Sequence, residues 1–408
     1  MTRLHRAAWV LPIAGRPIRD GWVEVRDGRV TALGGVRDRP QTSLADIPNV
    51  AILPALVNAH VHLELSWMRG LVPPGNSMPA WASALIALRR SSVTEPGAAI
   101  VEAIAEAHAA GTALVGDVAN SLETIAPLSA SALSAVVFRE LIGFRVEDPA
   151  PVIAQAERDS ALIARSARVR TALAPHAPYS VSPALLRALS AQQPLSIHLG
   201  ESGAELEFLR TGTGPWRDVL EAVGAWTPSW QAPDAGAIDY IDKLGLLSAR
   251  LLVVHGVHLT DEELRRVARA GATIVTCPRS NEWTGAGTPP IEAFYASGAR
   301  VAIGTDSLAS VATLSVFDEM AAVQRLAPSV PASRILQSAT LDGAAALGFD
   351  DLGAITPGRR AELLAVDLPR PMSSPADVEQ YLVSGVPAGS VRWLANVEPE
   401  PCTLNPER

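Results

Sequence analysis

Short apolar runs alternate with helical stretches along most of the chain, beginning at about residue 51. Each run is short enough for a buried strand, and each helical stretch has apolar residues at helical spacing with polar residues between them. The strand candidates are residues 51–57, 113–115, 135–138, 169–174, 195–197, 251–254, 273–276 and 301–303. The helical candidates include residues 98–110, 151–167, 183–192, 261–270 and 291–297. This α/β alternation predicts a (β/α)8 TIM barrel over residues 51–348.

A doubly wound open sheet is the alternative, but no Gly-x-Gly-x-x-Gly motif follows the first strand candidate. The two ends of the chain have a different pattern, in which glycine and proline turns separate short strands. These strand candidates are residues 7–11, 22–25, 29–33, 361–367 and 390–393. We expect residues 1–50 and 349–408 to form one small β-sandwich domain beside the barrel.

The composition is that of a globular chain, with 48% hydrophobic and 19% charged residues. A net charge of -8 without any basic block argues against a nucleic-acid partner. No apolar run is long enough to span a bilayer. Cys277 and Cys402 form no disulfide framework, which favours a reducing cytoplasm. We expect a cytoplasmic protein that acts on a small molecule, and the sequence leaves a homodimer open.

Histidines follow the predicted barrel strands closely. Five of the eight histidines have this placement, and an aspartate follows the last strand: His60, His62, His176, His198, His255 and Asp306. The carboxyl ends of barrel strands all face one rim, where active sites form. His60 and His62 are two residues apart, so they point to the same side of a strand. The pattern predicts a metal site at this rim.

The chain resembles the amidohydrolase superfamily, in its branch of metal-dependent deaminases and chlorohydrolases. The motifs that carry the resemblance occur in the family's order at residues 54–62, 175–179, 198–201, 255–259, 277–281 and 304–307. The resemblance covers nearly the whole chain. It implies that the metal ligands are His60, His62, His198 and Asp306. It also implies that Glu201 moves a proton onto the substrate, that His255 orients the hydrolytic water and that His176 contacts the substrate.

These roles are chemically reasonable. Three imidazoles and one carboxylate leave an open coordination position for water, and metal binding activates that water at neutral pH. Asp306 can receive the proton of the water. Glu201, three residues after His198, can donate a proton to a substrate ring if apolar walls keep it protonated. Taken alone, Glu201 would be interpreted as a solvated carboxylate at a helix start.

The lysine content indicates how many metal ions to expect. Many relatives hold two metals bridged by a carboxylated lysine at the end of the fourth strand. Here that strand ends in Ala174, Pro175 and His176, and the only lysine of the chain is Lys243. We therefore expect one divalent metal, zinc by default, with iron or manganese as alternatives for the same ligands.

Further candidates for substrate binding follow the first, third and seventh strands. Trp67 is interpreted either as a stacking partner for the substrate or as a packing residue under the rim. Arg279 and Asn281 follow the seventh strand, although Arg279 could instead pair with an acidic residue. Arg139 and Arg145 follow the third strand and could bind an anionic group. Two further residues near these motifs are Trp283, a pocket candidate, and Cys277, which is expected to be a buried thiol.

By resemblance, the chain is expected to be a mononuclear aminohydrolase that acts on an adenine-type nucleoside. Glu64 and Ser66 match family members that convert 6-aminodeoxyfutalosine to futalosine and ammonia in menaquinone synthesis. S-adenosylhomocysteine or methylthioadenosine would fit the same chemistry. A chlorohydrolase or a cyclic-amide hydrolase of the same fold is the first alternative. A non-catalytic scaffold is the second, but it should lack one or more of the ligands that this chain retains.

Overall fold

The computed structural model describes residues 2–38, 45–92, 95–161, 167–189 and 194–394. The strands are β1 Thr2–Val10, β2 Ile18–Arg19, β3 Trp22–Arg26, β4 Arg29–Gly34, β5 Ala45–Pro54, β6 Leu56–Val61, β7 Thr112–Ala119, β8 Ser134–Leu141, β9 Val169–Pro175, β10 Leu195–Leu199, β11 Leu251–His255, β12 Thr273–Thr276, β13 Arg300–Ile303, β14 Leu363–Asp367 and β15 Val391–Trp393. The helices are α1 Met78–Ser91, α2 Gly97–Ala109, α3 Ile125–Ala130, α4 Ala150–Ala161, α5 Pro183–Ala188, α6 Gly203–Thr211, α7 Pro215–Ala222, α8 Ala237–Lys243, α9 Asp261–Ala270, α10 Pro278–Thr284, α11 Ile291–Ala296, α12 Val316–Leu326, α13 Ala332–Gln337, α14 Gly343–Ala346 and α15 Pro375–Leu382. Within this part of the chain, none of the helices has the length and apolar character that crossing a membrane requires.

Two four-stranded parallel sheets form the centre of the molecule, in the orders β6-β7-β8-β9 and β10-β11-β12-β13. At one seam between them, the N–H groups of Thr305 and Asp306 both donate to the carbonyl of His60 at 3.1 Å. At the other seam, the N–H of His198 donates to the carbonyl of His176 at 2.9 Å. These features are consistent with the predicted TIM barrel, although the described strands form two sheets and not one closed ladder.

Both sheets contribute residues to one shared core. Successive residues of a strand point to opposite faces, so each strand also packs against a second layer. Val57 of β6 and Val254 of β11 belong to the same buried cluster. The neighbouring residue Val253 points the other way and packs in a second cluster with residues of the surrounding helices, such as Leu264 of α9. Burial on both faces explains why the strands are nearly continuous apolar runs.

Seven of the eight predicted barrel strands overlap β7 to β13, but the first prediction is wrong. The run 51–57 is divided between two sheets. Its first part belongs to β5, which pairs with β1 and β14, and the barrel strand β6 begins only at Leu56. The sequence could not show this division, because residues on both sides of Ala55 are equally apolar and equally buried.

The two ends of the chain share one mixed seven-stranded sheet. Its order is β15-β14-β5-β1-β3-β4, with β2 paired to β1. The pairing of β14 with β5 confirms that the ends associate. β5 pairs with β1 on one side and with β14 on the other, so the described strands from both chain ends form a single sheet. The predicted β-sandwich is therefore not confirmed. Parts of the predicted segments lie outside the described residues, namely 39–44, 162–166, 190–193 and 395–408 with Cys402.

Candidate active site

His60 and His62 lie at the carboxyl end of β6 and face Asp306, which follows β13. His62 Nε2 lies 3.6 Å and His60 Nε2 lies 3.9 Å from Asp306 Oδ1. His60 is fully buried, and neither ring nitrogen has a hydrogen-bond partner among the described residues. The lone pairs of two imidazoles and one carboxylate thus point at a common position. This arrangement is unfavourable unless a cation or a proton lies between the three groups.

His198, the last but one residue of β10, completes the group. Its Nε2 lies 3.3 Å from His62 Nε2, and its Nδ1 lies 2.9 Å from the carbonyl oxygen of His176. A carbonyl only accepts hydrogen bonds, so Nδ1 carries the ring proton. The lone pair of Nε2 is therefore directed at the same position as those of His60 and His62.

Two imidazoles of this group, those of His60 and His198, are held neutral by burial. Burial, reinforced by the neighbouring imidazoles, holds the pKa of His60 well below its usual value. Burial and the proximity of His176 lower the pKa of His198 to about 3, although Glu140 opposes the shift. Neutral rings keep the nitrogen lone pairs that a metal ion requires.

Asp306 reaches this position through an unusual backbone conformation. Its φ angle is 61°, in the left-handed region that residues with a side chain seldom adopt. Ser280 Oγ donates to Asp306 Oδ2 at 2.5 Å. The second oxygen, Oδ1, is the one that faces His60 and His62. The hydrogen bond from α10 therefore determines which oxygen is available at the rim.

Glu201 lies just after β10 in a loop that a second glutamate holds. The two carboxylate oxygens of Glu205 accept the N–H groups of Gly200 at 2.9 Å and Glu201 at 3.0 Å. Glu201 is only 1% exposed, and its Oε2 has no hydrogen-bond partner in the described structure. Burial, and secondarily Asp306 and Glu205, raise the pKa of Glu201 well above its usual value. The environment of Glu201 therefore favours the protonated form of its carboxyl group.

His255 ends β11 and faces Glu201. Its Nε2 lies 3.4 Å from Glu201 Oε1, and Asn281 Nδ2 lies 2.9 Å from its Nδ1. The amide N–H donates to Nδ1, so the ring proton of neutral His255 is on Nε2. Burial lowers the pKa of His255 to about 3, which keeps the ring neutral.

His176 follows β9 and is oriented by a serine. Its Nδ1 lies 2.6 Å from Ser180 Oγ, and this hydroxyl donates its proton to the carbonyl of Ala177 at 3.1 Å. Ser180 therefore accepts the Nδ1 proton, and Nε2 of His176 is left as an acceptor. Burial lowers the pKa of His176 to about 3, so the ring stays neutral.

A cavity of about 550 Å³ opens onto these groups. Its polar end contains His62, His176, His198, Glu201 and Asp306. Its opposite walls are largely apolar and come from α1, the segment after β8, and α7 with the residues that follow it: Met78, Trp81, Leu85, Ile86, Ile142, Phe144, Val146, Trp216, Val219, Leu220, Val223 and Ala225. This volume and this lining suit a ligand with one polar ring and one bulky apolar part.

The structure places only some of the predicted substrate-binding residues at the cavity. His176 and Arg145 line it, whereas Arg279, Asn281 and Trp67 are not among its lining residues. Arg279 Nε donates to the buried Glu319 at 2.7 Å, because the side chain turns toward α12. Asn281 contacts His255 instead, and Trp67 packs in a cluster with Leu65, Met68, Val72 and Trp81. Arg139 and Trp283 also lie outside the lining.

Several polar residues at the cavity were missed from the sequence. These are Arg89, Asn120 and Glu140, which line the wall together with Glu64, a residue that the family resemblance had already singled out. Asn120 directly follows β7 and Glu140 lies near the end of β8. The strand-end argument that found the histidines could have found them, had it been applied to amides and carboxylates.

Parallel strands that carry imidazoles and carboxylates at one rim are typical of a metal-dependent hydrolase. The chain belongs to the amidohydrolase family, whose model matches residues 51–391. It is a hydrolase that acts on carbon–nitrogen bonds other than peptide bonds.

Relatives with named activities cover most of the chain. An aminodeoxyfutalosine deaminase of Deinococcus radiodurans is 34% identical over 312 residues, which are 73% of each chain. A 5-methylthioadenosine/S-adenosylhomocysteine deaminase of Nitratidesulfovibrio vulgaris is 30% identical over 399 residues, covering 90% of this chain and 85% of the relative.

Solved structures show the same fold. Helicobacter pylori aminofutalosine deaminase in complex with methylthio-coformycin superposes with a TM-score of 0.83 and 25% identity, over 96% of this chain and 100% of the other. A Xanthomonas campestris adenosine deaminase with bound zinc gives a TM-score of 0.78 and 27% identity, over 95% and 90%. A triazine hydrolase variant at 20% identity and a TM-score of 0.76 shares the fold.

Proposed function

We propose that the chain is a mononuclear, metal-dependent aminohydrolase acting on the adenine base of a nucleoside. Water replaces the exocyclic amino group, and ammonia leaves. The observation that carries this proposal is the buried carboxyl of Glu201, whose Oε2 has no hydrogen-bond partner in the described structure, beside the converging side chains of His60, His62, His198 and Asp306. The names of the relatives from Deinococcus radiodurans and Nitratidesulfovibrio vulgaris support an adenine nucleoside as substrate.

The four converging residues fit one divalent metal. His60 is buried without a partner, and Nε2 of His198 is left as an acceptor, so both have a lone pair for coordination. No lysine can bridge a second ion at the end of β9, because Lys243 ends α8. Zinc is the proposed ion, in line with the zinc bound to the Xanthomonas campestris deaminase. When bound, such an ion activates water for attack at neutral pH.

The residues around the ion would move the protons. Glu201 donates its proton to a ring nitrogen of the base, which makes the adjacent carbon more electrophilic. Asp306 Oδ1 accepts a proton from the attacking water and passes it to the departing amino group, which leaves as ammonia. Glu201 recovers a proton from the added hydroxyl group as the carbonyl forms. His255 presents its Nε2 proton toward the incoming oxygen, and His176 Nε2 accepts a hydrogen bond from the substrate.

The proposed substrate is 6-aminodeoxyfutalosine, which combines an adenine nucleoside with an aromatic carboxylate. Apolar walls suit the aromatic part, and Arg145 at the same walls suits the carboxylate. Arg145 is exposed, its guanidinium donates to the Gly224 carbonyl at 3.3 Å, and no acidic partner occurs among the described residues. Methylthioadenosine and S-adenosylhomocysteine are the alternatives, since relatives with those names match as much of the chain.

The finer architecture and context belong to the same proposal. We propose that the eight parallel strands close into a (β/α)8 barrel and that the chain divides between β5 and β6, near residue 55, and again near residue 349. The enzyme would act in the cytoplasm on a small molecule, with a role in menaquinone synthesis. Neither nucleic acid nor membrane is part of the proposal.

Ammonia release from metal-replete protein tests this function. We expect 6-aminodeoxyfutalosine to have the highest kcat/KM in a set with S-adenosylhomocysteine, methylthioadenosine, adenosine, guanine and cytosine. Activity on another nucleoside of the set alone would keep the deaminase class and reject the named substrate. Activity on none of them would reject the class.

A substitution of Arg145 tests recognition of the substrate carboxylate separately from recognition of the adenine base. Arg145→Gln should raise KM for 6-aminodeoxyfutalosine by at least about tenfold, because a charge-assisted hydrogen bond is lost. Methylthioadenosine lacks the carboxylate, so its KM should change little. Arg210→Gln on the surface of α6 is the matched control.

A further inference from the structure

Two buried glutamates line the same wall of the cavity but differ in their hydrogen bonds. Glu64 Oε1 accepts the N–H of Asn120 at 3.0 Å, and Glu64 Oε2 accepts both the N–H and the hydroxyl of Ser121 at 2.9 and 3.0 Å. Arg89 lies 3.6 Å from Glu64 Oε1. Both oxygens of Glu64 are therefore used by the protein itself.

Only one of the two carboxylate oxygens of Glu140 accepts a hydrogen bond in the described structure. Its side chain is 5% exposed, and Oε2 accepts Asn120 Nδ2 at 2.5 Å. Oε1 has no hydrogen-bond partner in the described structure. His198 Nδ1 lies 3.8 Å from Oε1, but its proton is donated to the carbonyl of His176. A buried carboxylate oxygen without a donor is costly, so a ligand that supplies a donor would bind favourably here.

Asn120 fixes the orientation of this carboxylate. Its Oδ1 accepts the guanidinium of Arg89 at 2.9 Å, and its backbone N–H is held by Glu64. Only the amide nitrogen is left for Glu140, which therefore keeps Oε2 toward Asn120. Glu140 Oε1 is therefore left without a hydrogen-bond donor from the described residues.

We propose that Glu140 is a specificity-determining residue that accepts a hydrogen bond from a sugar hydroxyl of the substrate. This inference rests on the proposed function, since a nucleoside is the substrate class that brings a hydroxyl close to the reacting base. A neutral hydroxyl fits better than an ammonium group. Arg89 already supplies positive charge on one side of this wall, and a metal ion held by His198 would supply it on the other.

The test compares adenosine with 2′-deoxyadenosine and 3′-deoxyadenosine on metal-loaded full-length protein. Wild-type enzyme should prefer adenosine over at least one deoxy analogue by about tenfold or more in kcat/KM, as expected for a lost hydrogen bond to a charged acceptor. In Glu140→Gln the carboxylate acceptor is gone. The preference should fall to within about threefold, less than one such hydrogen bond provides.

Glu147→Gln is the control, because it changes an exposed carboxylate shortly after β8 that takes no part in the hydrogen bonds linking Glu64, Asn120 and Glu140. It should affect the three nucleosides alike and leave the wild-type preference intact. Metal content is measured for each variant. A Glu140→Gln protein that loses metal and activity together, equally for all three nucleosides, would show that Glu140 only supports His198.

Binding of the products gives a readout that does not need turnover. Inosine should bind wild-type protein more tightly than 2′-deoxyinosine or 3′-deoxyinosine, and Glu140→Gln should remove the difference in calorimetry. If wild-type protein treats the ribo and deoxy compounds alike in both assays, the inference is wrong while the deaminase proposal stands. If no adenine nucleoside releases ammonia, the proposed function fails and this inference fails with it.

Discussion

Glu201 Oε1 lies 3.4 Å from His255 Nε2, and both side chains are only 1% exposed. Asn281 donates to the other ring nitrogen, so the proton of neutral His255 lies on the nitrogen that faces the acid. Burial favours the protonated form of Glu201 and keeps His255 uncharged. The carboxyl group of Glu201 is therefore biased toward the form that can donate a proton, next to a ring with a defined tautomer.

Glu201→Gln should retain the fold and the metal but lose turnover by roughly a hundredfold or more, the scale of general acid–base catalysis. Glutamine keeps the size of the side chain and cannot transfer the proton. Ammonia release and elemental analysis are measured on the same preparation. Glu207→Gln, an exposed position of α6, is the control, and near-normal turnover of Glu201→Gln would remove Glu201 from the mechanism.

Purified protein should contain about one equivalent of divalent metal per chain, because four candidate ligands converge and no lysine can bridge a second ion. His60→Ala or Asp306→Ala should lose the metal and the activity together. His5→Ala is a useful control, since His5 is also buried without a hydrogen-bond partner in the described structure but lies in β1. Two tightly held equivalents in elemental analysis would contradict the single site.

The residues at the rim were predictable from the sequence because each of them lies at the carboxyl end of a predicted strand. Apolar runs mark the strands, and carboxyl ends of parallel strands meet, so His60, His198, His255 and Asp306 had to come together if the barrel was correct. The start of the barrel was not predictable, because the apolar run through Ala55 shows burial without showing which sheet each residue joins.

The position of a residue in the sequence does not show in which direction its side chain points. Arg279 follows the seventh strand like a rim residue, but its guanidinium turns to Glu319. Asn281, two residues later in α10, turns to His255. Glu140 was missed because the strand-end argument was applied to histidines and Asp306 and not to other carboxylates, although its unpartnered oxygen is visible only in the structure.

Glu205 should make stability depend on pH. Burial raises the pKa of Glu205 to about 7, from 4.5 in the unfolded chain. The folded state therefore holds this proton more tightly, so the stabilisation is full below pH 4.5 and is lost as pH rises through about 7. This shift corresponds to roughly 3 kcal/mol over that window.

Glu205→Gln tests this effect and the support of the Glu201 loop together. Glutamine has one acceptor for two N–H groups, so the variant should be less stable than wild type at acidic pH. The stability difference should shrink as pH rises through the window, because only wild type loses the contribution of the proton. Urea unfolding at several pH values measures this, and a difference that stays constant with pH would contradict it.

Arg279 should contribute to stability and not to substrate recognition. Arg279→Met leaves Glu319, which is fully buried, without its ion-pair partner and should cost about 3 kcal/mol of unfolding free energy. Replacing both residues, as Arg279→Met with Glu319→Leu, should restore much of that loss. The ranking of nucleoside substrates should stay the same in both variants, and a selective loss for substrates with a carboxylate would return Arg279 to the binding site.

Asn281 should act on turnover through His255. The side chain is fully buried, and its amide is the group that places the ring proton of His255 on Nε2. Asn281→Leu removes this hydrogen bond, and we expect kcat to fall about 10- to 100-fold with little change in KM or metal content. Asn281→Asp keeps the shape but offers an acceptor, so the proton should move to Nδ1 and Nε2 should face Glu201 without one. Turnover of the aspartate variant should therefore be at least as low as that of the leucine variant. The tautomer can be followed by nitrogen-15 chemical shifts of the histidine side chains. An aspartate variant with near-normal kcat would show that the position of this proton does not matter for the reaction.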